Sequence, residues 1–144
     1  MLGLRAVDPA QALADLTEIS SQIEAAVLAD ANGGLLAATF AEEEKGERLA
    51  RAAFGLIEAA ERAHGETKER LVQIEAATPD GSLFVVRDDV RLAAAVTGAD
   101  PTSGLVFYDL KTCLRLVGEE KPTEKKTTRR GDTPEQEGLD DDAA

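Results

Sequence analysis

Tryptophan is absent from these 144 residues, and tyrosine, histidine, methionine and cysteine occur once each. A single cysteine excludes an internal disulfide and a cysteine-based zinc site. With four phenylalanines the only other aromatics, the 43% hydrophobic content must form its core from alanine, leucine and valine. Positive charge is also scarce: 16 Lys and Arg stand against 28 Asp and Glu, a net charge of −12. Such a chain cannot displace the counterions of a nucleic-acid backbone, and an anionic membrane surface repels it. MLGLRAVDPA lacks the apolar stretch of a signal peptide, and no run reaches the length of a membrane span. The expected location is the cytoplasm, without membrane insertion.

What is present is one domain's worth of periodic sequence, expected over residues 1–118. Asp8-Pro9-Ala10-Gln11 reads as a helix start, with Asp8 as N-cap, Pro9 at the first helical position and Gln11 completing a capping-box-like pair. Ala12, Leu13, Leu16, Ile19 and Ile23 then share one side of a helix ending near Ser20 or Ser21. Glu24–Asp30 and Leu35–Phe40 are strands about a turn at Asn32-Gly33, and a phosphate-binding loop is excluded because no Gly-Lys-Ser/Thr follows. Apolar residues of both parities in these strands predict cover on both faces of a sheet. Arg70–Ala77 alternates, with Val72, Ile74 and Ala76 on one side; a Pro-Asp-Gly turn, Ser82–Arg87, an Asp88-Asp89 turn and Val90–Thr97 complete a three-stranded meander. Ser103–Val117 reads as a last helix. From Glu119 onward only Leu139 is a sizeable apolar residue, so 119–144 is expected to be a disordered charged tail.

The organising element is the stretch KGERLARAAFGLIEAAERAH, Lys45–His64. At about 100° per residue, Leu49, Ala52, Ala53, Leu56, Ala60 and Ala63 fall on one stripe, read here as the core-facing one. Ala50, Phe54 and Ile57 widen the apolar arc to roughly 200°, twice what a single core contact requires. Two burial partners are therefore expected, its own sheet and something else, the alternative being that the whole arc is simply deeply buried. Glu47–Arg51 and Glu58–Arg62 have the spacing of helix-surface ion pairs.

Helix, two strands, helix, three strands and helix within about 110 residues resembles the Roadblock/dynein light-chain domain, particularly its small bacterial members. The likeness is carried by LADLTEISSQIEAAVLAD, the hairpin DANGGLLAAT, the helix from ERLARAAF, the strand pair LFVVRDDVRLAAAV and the helix beginning GLVFYDL. It covers roughly residues 8–117, leaves the tail outside, and rests on pattern, because the family has no invariant catalytic signature. The resemblance implies an α+β fold: a five-stranded antiparallel sheet with the central helix on one face and the two terminal helices on the other. It also implies a homodimer in which third strands pair edge to edge and central helices lie side by side. The expected dimer or partner interface is Ala50, Phe54, Ile57, Glu61, Val72 and Ile74.

In function the resemblance implies an interaction module that binds and regulates a small Ras-like GTPase in a bacterial signalling or polarity system. The alternative is a scaffold subunit indifferent to nucleotide state. A small-molecule sensor is a third possibility, disfavoured because the Ala-, Val- and Leu-filled strands offer no convergent polar groups. No catalytic residue, metal or cofactor is expected. His64, the sole histidine, suits a helix C-terminus as a cation, and Cys113 lies on an apolar helix face. Asp88-Asp89 reads as a turn, and Arg48, Arg51 and Arg62 as solvated or ion-paired residues rather than a trans-acting arginine finger.

Overall fold

The computed structural model describes residues 7–65 and 70–118. The expected tail, 119–144, lies outside the described residues. The elements are α1 (Pro9–Ile19), β1 (Ile23–Asp30), β2 (Leu35–Ala38), α2 (Glu43–His64), β3 (Gln73–Thr78), β4 (Gly81–Arg87), β5 (Arg91–Thr97) and α3 (Ser103–Gly118). This is the order read from the sequence. Asp8–Arg115 form one compact unit; Val7 and Leu116–Gly118 are the described residues of a second. In the second, the Val7 N–H donates to the Leu116 carbonyl at 3.4 Å.

The five strands form one antiparallel sheet in the order β2-β1-β5-β4-β3. The three apolar strands β1, β5 and β4 are thus interior, while short β2 and polar β3 occupy the edges. On one face Val27, Ala29, Val85, Leu92 and Ala94 pack against Ala50, Ala53 and Ile57 of α2. Residues of the opposite parity, including Ala26, Leu28, Phe84, Val86, Ala93 and Ala95, are buried on the other face. There α1 and α3 supply cover. Phe84 meets Phe107 edge to face at 5.0 Å and 77°, and the Cys113 thiol approaches the Ala12 carbonyl at 3.7 Å. Each fully buried large side chain in these layers, such as Leu13, Leu28, Phe84 and Leu110, contributes about 1.5–3 kcal/mol.

Local chemistry sets the element ends. Asp8 caps α1 by accepting from the Ala10 and Gln11 N–H groups at 3.1 and 3.3 Å. Gln11 does not complete the expected capping box; its amide donates to Asp15 at 2.9 Å, one turn on. Ile19 also departs from expectation, being 71% exposed at the last position of the helix, while Ile23 is buried as the first residue of β1.

Gly33 turns the β1–β2 hairpin with φ of 87°. A Cβ there would lie 2.9 Å from that of Phe54, so α2 rests on the turn where only glycine fits. Gly46 plays the second such role: a Cβ would come within 2.7 Å of Ala38 on β2. These two close approaches fix which face of α2 meets the sheet.

Candidate interaction surface

The sheet takes the half of the α2 arc centred on Gly46, Ala50, Ala53 and Ile57, spaced i, i+4, i+7 and i+11, all of them buried. Ala50 and Ile57 are fully enclosed in the core cluster and Phe54 is partly buried against it. This corrects the expectation that these three face outward. The apolar arc left two seatings open, and the glycine contacts select the one that buries Ile57. The outward face instead runs through Arg48, Arg51, Ala52, Gly55, Ala59 and Arg62, all exposed, with Leu49, Leu56 and Ala60 half-buried on its flank. Its middle is smooth and its ends are basic. Among the described residues nothing lies within 4 Å of where a Cβ on Gly55 would sit. A mid-helix glycine costs about 1 kcal/mol relative to alanine, and no contact among the described residues accounts for it.

Toward the start of this face, Phe40, Lys45, Arg48, Leu49 and Ala52 line an open hollow of about 360 Å³. Beyond the helix, β3 is an edge strand whose residues Glu75–Thr78 are all exposed. One row of its backbone N–H and C=O groups is met by β4. The other row has no strand beside it among the described residues, an arrangement that invites pairing with another chain.

The remaining expected interface residues divide. Ile74 packs with Leu71 against the α2-side core. Val72 is half-exposed and lines a separate groove with Val86, Lys111 and Leu114. The strict alternation that placed both on one side fails because the regular strand begins only at Gln73. Glu61 is occupied within the chain. Its carboxylate accepts from the Arg87 guanidinium at 2.6 Å and from the Leu71 N–H at 3.1 Å. Arg87 also donates to Glu58 at 2.9 Å and to the Leu71 carbonyl at 2.8 Å. Its side chain is only 5% exposed. The planar fork thus ties α2 to the end of β4 and the approach to β3.

This network corrects the expected Glu58–Arg62 pair: Glu58 turns to Arg87. Hydrogen bonds from Arg87 and then from Leu71 hold the Glu61 carboxyl below its ordinary value of 4.5. The sequence reading missed Arg87 altogether. The available signal was a lone charge closing an otherwise apolar strand, with two glutamates three residues apart on the facing helix.

The described fold has counterparts among solved structures. A Roadblock/LC7 domain from Streptomyces avermitilis matches with a TM-score of 0.71 and 16% identity, over 78% of this chain and 96% of that one. The chain has the Roadblock/LC7 fold. Two further structures with this fold are MglB from Myxococcus xanthus and the gliding protein mglB from Thermus thermophilus. The first gives a TM-score of 0.66 at 18% identity over 88% of this chain and 98% of that one. The second gives 0.62 at 17% over 83% and 93%. No protein-family model and no curated protein sequence matches.

On this Roadblock/LC7 frame the residues weighed for chemistry lie apart. His64 is exposed at the last position of α2. Cys113 is buried on α3, where burial, with a smaller push from Asp15, raises its thiol to about 11. Asp88 is spent on its own turn, accepting from the N–H groups of Val90 and Arg91. Among the described residues no group of three or more His, Cys, Asp or Glu side chains is placed to hold a metal ion. No described helix is long and apolar enough to cross a membrane.

Proposed function

We propose that this protein is a homodimeric interaction module that binds and regulates a small Ras-like GTPase, and that it acts by contact rather than as an enzyme. The observation that carries the reading is the pairing, on one Roadblock/LC7 fold, of an α2 face smooth at Gly55 with a β3 edge, neither of them covered among the described residues. A second copy across the α2 face fills the space that Gly55 leaves empty, and edge pairing satisfies the free row of β3. The interface on α2 is then Ala52, Gly55 and Ala59, with Leu49 and Leu56 at its side, rather than Ala50 and Ile57. Arg48, Arg51 and Arg62 flank it and supply positive charge toward an acidic partner surface on a chain that is otherwise strongly negative. Regulation needs no catalytic group from this chain if contact orders the GTPase's own residues.

The test is capture from native lysate with the full chain as bait, in parallel with GDP and with a non-hydrolysable GTP analogue. The reading expects one small GTPase recovered preferentially in one nucleotide state. The same partners under both conditions would replace it with a scaffold role, and recovery of no GTPase would remove its partner.

A further inference from the structure

On the opposite side of the sheet from α2, a second surface stands apart from the proposed dimer face. Val72, Val86 and Leu114 floor an open groove of about 370 Å³ between the approach to β3, the end of β4 and α3. Lys111 and Arg115 line it from α3, and Asp88 lines it at the β4–β5 turn. The volume lies at the low end of the range for small-molecule sites. Its polar character is cationic. Asp88, whose Oδ1 is held by two backbone N–H groups of its own turn at 2.9 and 2.8 Å, offsets one of the two positive charges and leaves the lining positive by one.

Lys111 and Arg115 stand i,i+4 on α3, a like-charge spacing that destabilises a helix. Among the described residues neither has a carboxylate within ion-pair distance, in a chain carrying 28 acidic residues. The helix dipole accounts for Arg115, which lies in the last turn, but not for Lys111, a turn earlier. Both long side chains are exposed, at the rim of an apolar floor whose Val72 is half-exposed.

We propose that this groove is a docking site for a short acidic segment of a partner protein, with the pattern acidic–apolar–acidic. Along α3 the backbone positions that carry the two cations are about 6 Å apart, four residues at about 1.5 Å each. Carboxylates at alternate positions of an extended segment are about 6.6 Å apart and point to one side, while the residue between them points to the other. Such a segment sets its carboxylates against Lys111 and Arg115 and its apolar residue on Val72, Val86 and Leu114. The inference stands whether or not the partner of the α2 face is a GTPase.

The test uses the full chain and two sets of fluorescein-labelled 12-residue peptides, followed by fluorescence anisotropy. One set carries Asp or Glu on either side of a central Leu or Phe, and the other carries Lys or Arg in the same places. The acidic set is expected to bind, to weaken at least tenfold between 50 and 300 mM salt, and to weaken at least tenfold with Lys111→Glu/Arg115→Glu. Both substituted positions are exposed, and circular dichroism checks that the double variant stays folded. Val72→Ser, which removes apolar floor without adding charge, should also weaken the acidic set. Equal binding of the two sets, or acidic binding unchanged in these variants, overturns the proposal. So does a fall in the solution mass of the double variant, which would make the groove a contact between copies of this chain.

Discussion

Ile57→Ala is the sharpest probe of how α2 is seated. Ile57 has no exposed surface and lies among Val27, Ala29, Ala50, Ala53, Val85, Leu92 and Ala94. Removing its outer carbons loses the transfer free energy of a buried isoleucine and leaves a cavity. Four of those neighbours are alanines, whose methyl groups cannot extend into the void. The loss therefore falls in the upper part of the 2–5 kcal/mol range for such truncations, about 4 kcal/mol. That is a large fraction of the ~5–15 kcal/mol stabilising an ordinary domain. At roughly 4 °C per kcal/mol for a chain of this size, the thermal midpoint should fall by about 15 °C. The urea midpoint should fall by about 2 M for an m-value near 2 kcal/mol/M. Far-UV circular dichroism at one fixed protein concentration reads both, since association would shift either midpoint. Leu56→Ala, one residue earlier and half-buried, should cost less than about 1.5 kcal/mol. A reversed order, with Ile57→Ala nearly silent and Leu56→Ala severe, would refute the seating described above.

Three further outcomes follow from the same contacts. Gly33→Ala should destabilise by about 1–3 kcal/mol, because its φ of 87° and the 2.9 Å approach to Phe54 admit no side chain; an unchanged urea midpoint would contradict this. Arg87→Met should lower the urea midpoint at pH 7 by more than any exposed substitution on α2, by leaving Glu58 and Glu61 beside an apolar chain. Because the folded Glu61 carboxyl lies below 4.5, its share of that stability is full above this value and disappears as pH falls through the folded pKa. The gap between wild type and Arg87→Met should therefore narrow from pH 7 to pH 3, and a constant or widening gap would count against the network. Cys113, with its thiol raised to about 11, should resist a disulfide-exchange reagent at pH 8 in the native protein and react as one thiol in urea; rapid native reaction would mean that α1 does not cover it.

The element order was legible in the sequence because each cue was local. Asn32-Gly33 specified a hairpin, Pro79-Asp80-Gly81 a turn, and doubled apolar parity at Val27-Leu28 and Val85-Val86 announced helices on both faces of the sheet. The seating of α2 was not legible in the same way. An arc of roughly 200° of alanine, leucine and isoleucine leaves two faces of nearly equal hydrophobicity, and the choice between them was made by long-range fit. Gly46 touches β2 and Gly33 touches Phe54, so the half containing Ala50 and Ile57 went inward. Gly46, aligned with Ala50, Ala53 and Ile57, was the one sequence mark of that choice. Glu61 and Arg87 are 26 residues apart, and no helical or strand period connects them. Val72 could not be placed by alternation because the strand period starts after it.

The central claim is that two copies meet across the outer face of α2, and Gly55→Glu tests it most directly. Glutamate favours a helix over glycine, and the space around Gly55 is open among the described residues, so the variant should fold at least as stably as wild type. Light scattering coupled to size-exclusion chromatography should give wild type twice the 15.2 kDa chain mass and Gly55→Glu a single chain mass. A wild-type mass of one chain, or a variant that keeps the doubled mass, would contradict the account.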